Sequence, residues 1–166
     1  MVIFICKDDF DSILCGVYDA WTVSYTHLSG ERGDEMVLKT DRLILRNMGQ
    51  EDYEALCRIL KDNDVMYAYE GAFSDREVQE WLDRQTERYH QYGFGLWAVT
   101  LKDSGRMIGQ CGLTMQDYRE KQVLEVGYLF EKAYWHHGYA VEAAAACRDY
   151  AFNQLDAEEV LSLIHI

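Results

Sequence analysis

The chain has 166 residues, 49% of them hydrophobic, and a net charge of −13; this suits one domain with a real core and argues against nucleic acid as partner, since phosphate binding needs clustered Lys and Arg. No stretch approaches the roughly 20 apolar residues of a membrane span, and the apolar opening Val2-Ile3-Phe4-Ile5 has no basic region before it and is broken by Lys7-Asp8-Asp9, unlike a secretory leader. Five scattered cysteines (Cys6, Cys15, Cys57, Cys111, Cys147) show neither a disulfide frame nor metal-ligand spacing, so reduced thiols, no metal and a cytoplasmic setting are expected.

In chain order, the first boundary is Ser29-Gly30-Glu31-Arg32-Gly33-Asp34-Glu35, in a sequence without proline. It separates a leader, residues 1–35, expected to lie outside the native domain, from a domain over residues 36–166. Alternation around Leu43 and Leu45 predicts a strand. Residues 50–61 carry Tyr53, Leu56, Cys57 and Leu60 at helical spacing, with acids in the first turn. Ser74-Asp75-Arg76-Glu77 fits a capping box, Val78, Trp81, Leu82, Gln85 and Tyr89 share one helical face, and Gly93 supplies a stop. Strands follow at Leu96–Leu101, 107–115 and 123–130, with turns at residues 102–105 and 116–122. Residues 138–153 form an alanine-rich helix, and 160–166 a last strand. The order predicts an α/β fold with a mainly antiparallel sheet.

The chemistry concentrates in one strand–turn–helix unit. Val123-Leu124-Glu125-Val126-Gly127-Tyr128-Leu129-Phe130 leads through Tyr134-Trp135-His136-His137 to Gly138-Tyr139-Ala140-Val141-Glu142-Ala143. A helix start offers unpaired amides and partial positive charge, which suits a phosphate, and Gly138 and Ala140 lack bulk, so an anion can approach the backbone. No Lys-Ser or Lys-Thr pair follows, so this is not a nucleoside-triphosphate loop. By composition alone, a helix that begins after glycine for purely conformational reasons is an equal reading.

The same residues resemble the acetyl-coenzyme A signature of the GNAT superfamily, and within it the branch that includes the ribosomal-protein-alanine N-acetyltransferases. Thr40-Asp41-Arg42-Leu43-Ile44-Leu45-Arg46 resembles that branch's opening strand and Ile108-Gly109-Gln110-Cys111-Gly112-Leu113 its third strand, so the match runs over residues 36–161. The resemblance implies a GNAT-like mixed sheet flanked by helices. It also implies acetyl-coenzyme A as co-substrate, with Tyr128, Leu129 and Phe130 along the pantetheine arm. A bulge in their strand would open the slot. Trp135, His136, His137, Gly138, Tyr139 and Ala140 would wrap the pyrophosphate. Trp135 departs from the Gln or Arg of the general pattern. Glu125 is the candidate base for direct attack of an amine on the thioester, with a backbone amide of the splayed strand as oxyanion donor. Gln110, Tyr67, Tyr69 and Glu70 are weaker candidates for substrate contact.

The family's tyrosine acid and cofactor-binding asparagine would follow Ile166, so the sheet is expected to lack its last strands, with one edge exposed, and activity of this chain is an open question. The acceptor would be a protein N-terminus or a small-molecule amine. The alternative is a non-catalytic acyl-coenzyme A-binding module or an inactive fragment. No nucleic-acid or membrane partner is expected, and assembly is open, a homodimer included. A nucleophilic role for Cys111 or Cys147 is disfavoured, because no histidine is placed by sequence to activate either.

Overall fold

The computed structural model describes residues 2–7, 37–69, 71–118 and 120–164. They form strands β1 (Val2–Lys7), β2 (Val37–Lys39), β3 (Leu43–Arg46), β4 (Leu96–Leu101), β5 (Met107–Tyr118), β6 (Lys121–Phe130) and β7 (Glu159–Ile164). The helices are α1 (Tyr53–Leu60), α2 (Asp75–Tyr92) and α3 (Tyr139–Gln154). The strands make one sheet in the order β1-β7-β6-β5-β4-β3-β2. Every described pairing is antiparallel except β6 with β7. That pair needs a crossover, and α3 supplies it.

Local signals explain most boundaries. Ser74 caps α2 by accepting from the Glu77 amide, while the Glu77 carboxylate accepts from the Ser74 amide at 2.8 Å. Gly93 ends α2 in the left-handed conformation (φ 77°), which costs a glycine nothing sterically. The turn read at residues 116–122 is shorter than expected: β5 runs to Tyr118 and β6 starts at Lys121, which pairs with it. Cross-strand pairing overrides the polar composition there, because exposed polar side chains do not oppose a ladder.

Two cores lie on opposite faces of the sheet. Leu45, Val99, Ile108, Leu113 and Val126 pack on one face with α3, which presents the fully buried Ala143, Cys147 and Ala151 at four-residue spacing. These side chains are small, so the helix axis can approach the strands closely. Leu56, Ile59 and Leu60 of α1, with Val78 and Leu82 of α2, cover Leu96, Ala98 and Met107 on the other face. Each such burial is worth about 1.5–3 kcal/mol.

The leader contributes β1, which pairs with β7 from Val2↔Ile164 to Lys7↔Glu159. That edge of β7 is therefore covered, contrary to the exposed edge expected from the sequence. Residues 8–36 and 165–166, with most of the leader and the end of the last predicted strand, lie outside the described residues.

Candidate active site

The cleft begins where β6 and β7 part. Their pairing comprises Leu124↔Val160 and Glu125↔Leu161, whereas β6 stays paired with β5 up to Gly109↔Phe130. The Glu131 amide donates to the Ile108 carbonyl at 2.9 Å, which fixes the alternation along β6. Leu129 and Gly127 turn their peptide groups to β5, and Val126, Tyr128 and Phe130 turn theirs to the gap. The Val126 carbonyl accepts from Ser162 Oγ at 3.4 Å and the Phe130 carbonyl from Trp135 Nε1 at 2.9 Å. The peptide groups of Tyr128 lie between these two capped positions and face the opening. The bulge expected in this strand is absent: the β5–β6 register is unbroken, and the register shift lies at Val99/Thr100, between β4 and β5. Loss of pairing, not an inserted residue, opens the gap.

The turn after β6 carries two left-handed residues, His136 (φ 63°) and Gly138 (φ 78°). The conformation is costly for a residue with a Cβ, so His136 stores strain that its surroundings must hold. The first helical bond of α3 runs from the Glu142 amide to the Gly138 carbonyl at 3.1 Å. The amides of Tyr139, Ala140 and Val141 therefore have no acceptor within the helix. A cleft of about 510 Å³ joins Tyr128, Leu129 and Phe130 to Trp135, His136, Gly138, Tyr139 and Ala140, with Glu125, Tyr67 and Tyr69 also in its lining. His137 is the predicted loop residue that does not line it. Its Nδ1 lies 2.7 Å from the Trp135 carbonyl and its ring stacks on Tyr139. Glu70 lies outside the described residues.

A clamp that the sequence reading missed holds this turn. Arg42 donates through Nη1 to the His137 carbonyl at 3.0 Å and through Nε to Glu142 at 2.6 Å, and its guanidinium sits 4.5 Å from the Tyr139 ring centre. Glu142 also accepts from the Arg42 amide at 2.9 Å and the Thr40 hydroxyl at 2.5 Å. Burial on its own would raise the Glu142 carboxyl, but the hydrogen bonds from Thr40 and Arg42, with the Arg42 charge, hold it below its ordinary value. No side chain caps α3 at Gly138, and the Glu142 carboxylate is turned to Thr40 and Arg42, so the first α3 amides stay open. The signal was present as two quoted motifs, but nothing in one dimension joins them.

On the α2 face of the sheet, Glu125 is the last β6 residue paired with β7 and stands opposite Thr114, whose hydroxyl donates to it at 3.4 Å. Gln110 lies farther along the same face, fully buried. Its Oε1 accepts from Trp81 Nε1 at 2.9 Å, and its Nε2 has no hydrogen-bond partner among the described residues. Trp81 packs against the α1–α2 core and meets Phe73 and the cleft-lining Tyr69 edge-on. Burial pushes the Tyr69 phenol up, and the Glu125 charge adds to it, so Tyr69 keeps its proton at neutral pH. Cys111 and Cys147 are buried with their sulfurs 3.6 Å apart on the other face, and burial raises the Cys147 thiol well above its ordinary range, which suits packing rather than attack. No group of three or more potential metal ligands occurs among the described residues, and no described helix is long and apolar enough to cross a membrane.

A sheet that parts at a strand–turn–helix junction, with free amides at the helix start, defines the acetyltransferase class of α/β fold. The sequence matches the family described as Acetyltransferase (GNAT) domain over residues 42–166, and the chain belongs to that family, whose members use acetyl-coenzyme A and acyl transfer to an amine as their general reaction. It is similar to the uncharacterized protein YkkB of Bacillus subtilis, 39% identical over 76% of this chain and 74% of the relative. The GNAT-family acetyltransferase structure from Bacillus anthracis superposes with a TM-score of 0.64 at 26% identity, over 76% of this chain and 72% of that one. RimL, a ribosomal L7/L12 alpha-N-protein acetyltransferase, shares the fold alone: TM-score 0.60, 14% identity, over 77% and 72% of the two chains.

Proposed function

We propose that the chain moves an acetyl group from acetyl-coenzyme A to a primary amine by direct attack, with Glu125 taking the proton of the attacking nitrogen. The observation that carries this reading is the position of Glu125 at the vertex where β6 and β7 part, in the lining of the cleft. The cleft residues fit the co-substrate. Three amides without helical acceptors and the small Gly138 and Ala140 suit a pyrophosphate, and the open peptide groups of Tyr128 suit an extended amide-bearing arm that adds like a strand. Trp135, Tyr139, Ala140 and Leu129 give the apolar walls.

Bound acetyl-coenzyme A supplies a thioester carbon open to a neutral amine. A carbon–nitrogen bond forms, the carbon–sulfur bond breaks, and one proton leaves the nitrogen while the sulfur gains one. Glu125 accepts the first proton, directly or through one water. The amide of Tyr128, turned to the gap beyond the last β6–β7 pair, is the donor available to negative charge on the acyl oxygen. A cytoplasmic enzyme acting on a protein N-terminus or a small amine is the reading that follows. The rival, an acyl-coenzyme A-binding module without turnover, differs in one measurement. Glu125→Gln should lower kcat by about 10²–10⁴-fold, the usual contribution of a general base, with the coenzyme A Kd unchanged. An active wild-type chain whose kcat is insensitive to this change would remove Glu125 from the mechanism, and a wild-type chain that binds coenzyme A without thiol release over an amine panel would favour the module.

A further inference from the structure

The acceptor side of the cleft carries a feature that acetyl transfer alone does not require. Arg42, Arg46, Arg58, Arg76, Arg106 and Arg148 each engage a carboxylate, yet Arg84 and Arg88, one turn apart on α2, form no ion pair among the described residues. In a chain of net charge −13, two neighbouring arginines without a bonded carboxylate are the exception. The two arginines line a depression of about 230 Å³ with Glu87, Gln91, Tyr92 and Met115.

Arg88 is half-buried and oriented, not waving in solvent. Its Nη1 donates to Gln85 Oε1 at 3.2 Å, and Gln85, fully buried, is fixed in turn by the Leu96 amide at 3.2 Å and by its own bond to the Trp81 carbonyl at 3.3 Å. Arg84 lies 5.4 Å from the Trp81 ring centre. Met115 of that depression follows Thr114, whose hydroxyl donates to Glu125 at 3.4 Å, and the Trp81 ring under Arg84 meets the cleft-lining Tyr69 at 6.0 Å, so the pair stands beside the end of the cleft that holds Glu125. Burial and the neighbouring Arg84 both work against its charge, a cost that a bound anion would relieve. A guanidinium fork matches a carboxylate through two parallel hydrogen bonds. A polyamine would bring a second cation to this pair and be repelled.

Given the acetyl-transfer reading, we infer that the acceptor is an amine that also carries a carboxylate, its nitrogen facing Glu125 and its carboxylate held by Arg88 with Arg84. The same chemistry is offered by a free amino acid and by a peptide with an acidic first residue.

The test compares thiol release with free amino acids, tripeptides that begin with Glu or Asp, the amides of both sets, and spermidine. Carboxylate-bearing acceptors should show the lowest KM. Arg88→Gln should raise that KM about 10–100-fold, the loss of a hydrogen-bonded charge pair, with kcat within about threefold and the coenzyme A Kd unchanged. Arg88→Lys should recover part of the loss, and Arg84→Gln should act in the same direction. Preference for free amino acids or for acidic peptides supports the inference either way and names the source. Better turnover of spermidine or of the amides, or an Arg88→Gln effect equal for all acceptors, would overturn it. Calorimetry of the same compounds on the coenzyme A-loaded chain separates the two claims. Arg88-dependent binding of carboxylate amines without transfer would refute turnover and support the inference, and no such binding would overturn the inference.

Discussion

Replacing Glu142 by Gln keeps the side chain's size and removes its charge. In the wild type its carboxylate holds Arg42 Nε at 2.6 Å, the Arg42 amide at 2.9 Å and the Thr40 hydroxyl at 2.5 Å. Hydrogen bonds to a charged group are worth about 1.5–3 kcal/mol. The Arg42 side chain is 48% exposed, and exposed pairs contribute less than about 1 kcal/mol, so about 1–2 kcal/mol is the working figure for the whole clamp. Arg42 also holds the His137 carbonyl, so part of that energy maintains the turn that presents the α3 amides. Coenzyme A affinity should fall measurably but by no more than about 30-fold, the limit if the whole clamp energy served the turn, at roughly tenfold per 1.4 kcal/mol, and Tm by about 3–6 °C in a domain of this size. The carboxyl is held below its ordinary 4.5, so the clamp's contribution is complete above that pH and is lost as pH falls through the lower, folded value. The stability gap between wild type and variant should therefore be constant at neutral pH and close in acid. Calorimetry with coenzyme A and thermal melts from pH 3 to 8 read both effects. A full loss of Tm with an unchanged coenzyme A Kd would refute the link between clamp and loop.

Two further outcomes follow from the same geometry. Trp135→Phe removes the donor to the Phe130 carbonyl but keeps an aromatic wall, so coenzyme A should bind about 3–10-fold more weakly, the effect of one lost hydrogen bond; calorimetry measures it, and unchanged affinity would mean that the carbonyl needs no cap. Deleting residues 1–35 removes β1, which pairs with β7 at the sheet edge away from the cleft-lining residues. Coenzyme A affinity of the shortened chain should stay within about twofold while its tendency to self-associate rises through the uncovered edge; a large loss of affinity would make the leader part of the site.

Short-range chemistry made much of this fold legible. The Ser74–Glu77 box, the Gly93 stop and the small-residue run of α3 act within a few residues, so their sequence signals and structures coincide. The turn that lines the cleft was legible for the same reason, since Trp135, His136, Gly138, Tyr139 and Ala140 are neighbours in the chain and in the cleft. The clamp was not, because Arg42 and Glu142 are 100 residues apart and each alone reads as a solvated charge. The opening of β6 from β7 was anticipated in place but not in cause, since lost pairing leaves no residue-level mark. The Arg84–Arg88 pair drew no notice in the sequence because helix arginines are ordinary until the other arginines are seen to be paired.

The central claim is that the β6–α3 junction binds coenzyme A, and calorimetric titration of the full chain with coenzyme A tests it most directly. The account predicts one saturable site per chain that weakens in both Glu142→Gln and Trp135→Phe and is unchanged in Glu125→Gln. Absence of binding by the folded wild type, or binding indifferent to both loop substitutions, would contradict it.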